Sequence, residues 1–161
     1  MRTLSFALPY GAAVVVAALL PQPAVAQAPV PSAVAVKWGA GPDFLPRGAR
    51  LAVLAGDPSK SGVYVLRLRL PNGYKIPPHY HPTDEHVTVL AGTSWVGMGD
   101  TAKTQGMTRL TGGGFITVLA NAHHYARAQG VTVLQVSGEG PFEITYVNSA
   151  DDPRNKKAAM R

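Results

Sequence analysis

The sequence predicts an all-β domain, a sandwich or barrel of about nine or ten short strands. Three observations lead there. Apolar residues alternate over short runs, as at residues 63–70, where Tyr64, Leu66, Leu68 and Leu70 share one face. Turn residues punctuate those runs, drawn from 17 Gly and 14 Pro in 161 residues. No stretch shows a convincing helical period.

Residues 1–26 carry Arg2 as a short positive end, an apolar run densest at 12–20, and Ala24, Val25 and Ala26 as a small-x-small site before Gln27. This reads as a signal peptide cleaved after Ala26, which predicts a periplasmic or secreted protein. The alternative is a retained anchor. An apolar run broken by Pro9 and Gly11 and followed by Pro21 and Pro23 is short for a span of roughly 20 residues, so no stable membrane anchor is expected after processing. Residues 27–33, rich in Pro and Ala, predict a disordered lead-in. A single domain follows at 34–149, and the polar, charged residues 150–161 predict a flexible tail. The absence of cysteine excludes disulfides, a lipid-modified cysteine and thiol chemistry.

Within the domain, strands are expected at 34–38, 51–55, 63–70, the stretch around 79–81, 85–90, 94–98, 107–110, 115–119, 131–137 and 142–147, with turns at 57–62 and 112–114. The net charge of +6 is partly carried by the tail residues Arg154, Lys156, Lys157 and Arg161. Nucleic-acid binding would need a basic stripe interleaved with aromatics. Arg67 and Arg69, on one strand face, are the nearest approach and read more simply as a solvated face, so no nucleic-acid partner is expected.

The stretch that organises the chain is residues 73–92, GYKIPPHYHPTDEHVTVLAG. His79 and His81 lie two apart on an extended segment and therefore point the same way, so their imidazoles can share one ion. Pro82, Thr83 and Asp84 read as a turn into a neighbouring strand that brings Glu85 to the same ion. Gly73 belongs to the turn after Pro71 and Asn72, and Gly92 is expected to end the second strand.

The order Gly73, His79, His81, Glu85, Gly92 resembles the first conserved motif of the cupin superfamily: glycine, five residues, His-x-His, three or four residues, glutamate, six residues, glycine. The segment GGFITVLANAHHYARA resembles the second motif less closely. Gly113 and His124 fall in place, while Leu119 stands where that family usually has proline, Asn121 where it has glycine and Ala128 where it often has asparagine. Asn tolerates positive φ, so Asn121 can make the tight bend. The resemblance implies a double-stranded β-helix, the cupin-type jelly-roll barrel, in a single copy. It also implies a metal site of His79, His81, Glu85 and His124 inside the barrel, with Glu85 either on the ion or just behind it.

His86 and His123 adjoin proposed ligands, and alternation turns them to the opposite face, as it does Tyr80. Thr83 and Asp84 could accept the second ring N–H of a ligand histidine or serve an ordinary turn. On parity, Val87, Val89, Phe115 and Val133 line the barrel.

Three neutral imidazoles and one carboxylate suit one divalent transition metal, Fe, Mn, Ni, Cu, Co or Zn, better than Ca or Mg. The resemblance implies, first, a dioxygenase-like enzyme acting on a small oxygenated chelating substrate. The second reading is a non-catalytic module that binds or senses a metal or small ligand. A purely structural role, as in seed-storage cupins, fits poorly with a complete ligand set. No organic cofactor is implied, and no residue is singled out as catalytic apart from the ligands. A homodimer is expected, since open sheet edges can be covered by a partner's N-terminal extension.

Overall fold

The computed structural model describes residues 36–158. Nine strands are found among them: β1 (Gly39–Ala40), β2 (Arg50–Ala55), β3 (Gly62–Leu70), β4 (Lys75–Tyr80), β5 (Glu85–Met98), β6 (Thr108–Thr111), β7 (Phe115–Val118), β8 (His124–Gly140) and β9 (Thr145–Tyr146). All pair antiparallel in one sheet that curls on itself as a jelly-roll barrel.

The 17-residue β8 is the spine of the barrel. Along one edge it pairs with β5 throughout, from Met98↔His124 to Glu85↔Gly138. Along the other edge, its first turns pair with β4 and its later residues with β3. β5 is covered on its far side by β7 near its start and by β6 near its end. A strand shared between two halves of a curled sheet sets its inward side chains, one of them His124, beside those of β4, with His79 opposite His124 in register.

Tyr64, Leu66, Leu68 and Leu70 are all buried, as the alternation predicts, and pack with Val87, Val89, Leu134 and Val136 in the core. Burying apolar surface between the two halves is the main force that closes the sheet.

Several expectations are corrected. The segments 85–90 and 94–98 are one strand, because Gly92 does not end β5. It sits where the register shifts between Ala91 and Thr93, with φ +77°, and a Cβ there would lie 2.5 Å from the Val131 carbonyl oxygen. A bulge at a glycine lets the strand bend round the barrel without breaking. Nor does the turn at 82–84 make a hairpin. β4 pairs with β8 and β9, while β5 pairs with β6, β7 and β8, so the chain crosses to the other half of the barrel.

The expected strand at 34–38 lies partly outside the described residues; residues 36–38 are irregular and the strand is Gly39–Ala40. The strand expected at 142–147 shortens to Thr145–Tyr146. Helix is present where a frayed tail was expected: a 3-10 turn at Ser149–Asp151, capped by the Asn148 side chain, precedes α1 (Pro153–Ala158). Pro at the first helical position and an ion pair between Arg154 and Asp152 at 2.7 Å favour that turn, and Arg154 also donates to the Ile144 carbonyl. Arg69 is exposed, but the Nε and Nη1 of Arg67 are buried without a partner among the described residues, so that face is only partly solvated. No helix among the described residues is long and apolar enough to cross a membrane. The leader and lead-in predicted for 1–33 lie outside the described residues.

Candidate metal centre

His79 sits near the end of β4, paired with His124 at the start of β8 on one side and with Tyr146 of β9 on the other. His81 follows just beyond β4. The three imidazoles are 2–4% exposed. Their ring centroids lie 4.1 Å apart for His79 and His124, 5.0 Å for His79 and His81, and 5.2 Å for His81 and His124. One ligand atom from each falls within 4.8 Å of the others.

The hydrogen bonds decide which ring nitrogen is free. His79 Nδ1 is 2.7 Å from the Pro77 carbonyl, His81 Nδ1 2.6 Å from the Glu143 carbonyl and His124 Nδ1 3.1 Å from the Ala122 carbonyl. A carbonyl oxygen only accepts, so each Nδ1 carries a proton, and in the neutral form of each ring it is Nε2 that holds the lone pair. For His79 and His124 the acceptor is the carbonyl two residues upstream, a local device written into the chain. His81 draws its acceptor from the segment 141–144, far away in sequence. His81 Nε2 is buried with no hydrogen-bond partner among the described residues.

Glu85, the first residue of β5, reaches the cluster from the other half of the barrel. Its Oε2 lies 3.6 Å from both His81 Nε2 and His124 Nε2, too long for hydrogen bonds. Two donors each about 2.1 Å from a common ion lie no more than about 4.2 Å apart, so this spacing suits shared coordination. Burial, reinforced by the neighbouring His124 and His81, pushes the His79 pKa down to about 3, which keeps its imidazole neutral. Burial works to raise the Glu85 pKa, but His81, His124 and His79 facing it win, and its carboxyl is held below the usual range. A neutral His79 beside an ionised carboxylate, with a buried His81 nitrogen that has no partner among the described residues, suits a cation, and the His79, His81 and His124 group could hold a metal.

The other expectations divide. His86 and His123 do turn outward: His86 Nδ1 lies 3.1 Å from Thr117 Oγ1, and His123 Nδ1 pairs with Asp100 at 2.6 Å while its ring stacks on Tyr80. Thr83 and Asp84 do not accept from the clustered histidines. Thr83 donates to the Glu139 carbonyl and Asp84 accepts the Ala120 N–H. Val87 and Val89 line the interior, but Phe115 is exposed and stacks near His86, and Val133 is only half-buried. β7 pairs Ile116, not Phe115, with Val87, and a one-residue slip in phase flips a side chain to the other face. Asn121 has φ +62° and its N–H donates to the His81 carbonyl at 2.8 Å, so the bend that lacks glycine is made as expected and tied to the site.

Sequence reading missed Phe142, whose ring stacks on His81 at 5.5 Å and 20°. The alternation of Phe142, Ile144 and Tyr146, all buried, was the available signal.

No family model matches the sequence, and the comparison with curated proteins finds no match. Solved structures do match. The polyketide cyclase RemF of Streptomyces resistomycificus aligns with a TM-score of 0.61 and 17% identity, over 78% of this chain and 89% of that one. A candidate acetylacetone dioxygenase of Methylibium petroleiphilum gives 0.60 and 20%, over 83% and 94%. An RmlC-like cupin of Shewanella frigidimarina gives 0.54 and 14%, over 70% and 91%. The chain has the cupin fold. At these identities the likeness speaks for the fold, and within the cupin barrel the histidine group lies among inward-facing residues of β4, β5 and β8.

Proposed function

We propose that His79, His81, Glu85 and His124 hold one divalent transition metal, and that this cupin is a metal-dependent, dioxygenase-like enzyme for a small oxygenated chelating substrate. The observation that carries the reading is the tautomer lock: three buried imidazoles each set Nδ1–H on a backbone carbonyl, and one ligand atom from each lies within 4.8 Å of the others. Bound there, the metal would supply Lewis-acid chemistry toward an oxygen donor. The chain's own part is to fix the rings, supply one carboxylate charge and exclude water with apolar walls. Several structural neighbours are named as enzymes on small molecules, among them a cyclase and a candidate dioxygenase, which supports an enzymatic reading.

Elemental analysis of protein isolated from its own host is the deciding measurement, with one transition metal per chain expected. Turnover of two-carbon hydroxy acids, oxalate, diketone and diol compounds by that native form then separates the enzyme from a binding module. Native metal with no turnover across the panel would favour the binding reading.

We further propose that cleavage after Ala26 delivers the mature chain to the periplasm or the exterior, where it forms a homodimer. Exposed Val63, Phe115 and Val131 and the short outer strands leave surface for a second copy. Intact mass of exported protein should begin at Gln27, and sedimentation should give twice the chain mass at micromolar concentration.

A further inference from the structure

The cavity that the three imidazoles face is small and nearly all apolar. Its volume is about 40 Å³, room for roughly three water molecules. Leu68, Val87, Ile116, Leu134 and Val136 help wall it. Apart from the histidines and Glu85, Ser94 is the one polar side chain among its lining residues.

Ser94 lies in the second half of β5 and is 2% exposed. Nearby Thr132, also buried, donates its hydroxyl to the Thr93 carbonyl at 3.0 Å. No hydrogen bond among the described residues reaches the Ser94 hydroxyl. A hydroxyl in an apolar wall is costly unless something in the cavity pairs with it.

Phe142 closes the wall beside His81. Its ring lies nearly parallel to that imidazole and is backed by Phe44 at 5.6 Å and Tyr64 at 5.5 Å. The Phe142 N–H donates to the Pro58 carbonyl at 2.7 Å, and the next residue supplies the carbonyl that orients His81. Moving this ring aside would disturb a packed aromatic cluster and the segment that aims a ligand histidine.

We infer that the site takes ligands of no more than about five non-hydrogen atoms, with an oxygen donor toward the imidazoles and a second hydrogen-bonding atom for Ser94, and that Phe142 sets the size limit. This rests on the metal-site reading above and narrows its substrate class. A two-carbon hydroxy acid meets both conditions, whereas a ring diol or a five-carbon diketone is too large.

The test is calorimetric titration of metal-loaded protein with formate, glycolate, acetylacetone and catechol, on the wild type, Phe142→Leu and Ser94→Ala, with metal content measured in every sample. Glycolate should bind the wild type at least about 100-fold more tightly than catechol. Phe142→Leu should gain catechol affinity by about 10-fold or more while formate binding is unchanged. Ser94→Ala should weaken glycolate by about 10-fold at unchanged metal content. Catechol binding the wild type as tightly as glycolate overturns the size limit, and that comparison stands even if Phe142→Leu does not fold. Glycolate binding unmoved in Ser94→Ala overturns the hydrogen-bond assignment. A wild type without metal overturns the underlying site reading instead, and the metal measurement tells the two failures apart.

Discussion

The five histidines form two sets that differ in what holds them. His79, His81 and His124 are buried and anchored through Nδ1 to backbone carbonyls. His86 and His123 lie on the outer face and are held by side chains, Thr117 and Asp100. A backbone acceptor comes with the fold and cannot be lost by substitution at the acceptor residue, other than through a change in the backbone itself. It also dictates the tautomer of the neutral ring, placing its lone pair on Nε2. The outer rings have side-chain partners that single substitutions remove. Residue type therefore does not separate the two sets; the anchoring atom and the face do.

The sharpest way to break this comparison is to truncate both sets. His81→Ala should abolish stoichiometric metal binding, an effect beyond the ~100-fold typical of losing an outer hydrogen-bond partner. His86→Ala and His123→Ala should retain full metal content by elemental analysis. Metal lost equally from both sets would end the distinction.

Glu85→Gln tests whether the carboxylate belongs with the inner set. The shape is kept and one charge is removed, so metal affinity should fall by roughly 10–100-fold, less than for His81→Ala, in competition titrations with a chelator.

Acid should also separate the sets. In the metal-free protein His79 stays neutral down to about 3, against an ordinary value of 6.5. Between those values the unfolded chain binds a proton that the folded chain refuses, so stability is full above 6.5 and falls progressively as pH drops toward 3. Glu85, held below its ordinary value, adds loss of the same sign at the acid end. Thermal melts of the wild type should show this decline, and His79→Gln should flatten it.

The smallest effect concerns the bend that leads into β8. Asn121→Gly should leave the melting temperature nearly unchanged or raise it slightly, since φ is +62°. Asn121→Ala should cost about 1–2 kcal/mol in denaturant unfolding.

Much of this was legible in the chain. Strand alternation gave the core face of β3, and the spacing of His79 and His81 placed both rings on one side. The parity of neighbours turned His86 and His123 outward. These are local consequences of a two-residue period, and they hold wherever the strand is regular. The same rule misplaced Phe115 by one residue, because phase is set by pairing with β5 and not by the run of apolar residues itself.

What the sequence by itself determined is the strand-rich class, the shared face of His79 and His81 and the outward turn of His86 and His123. Tertiary structure alone decided that Gly92 bends a strand instead of ending it, that Glu143 orients His81 and that Phe142 and Ser94 shape the cavity. The physical reason is range. A dihedral preference or an alternation acts over a few residues, whereas a hydrogen bond between residues 81 and 143, or a ring packed on a histidine from another strand, exists only after the sheet has curled and brought distant segments together.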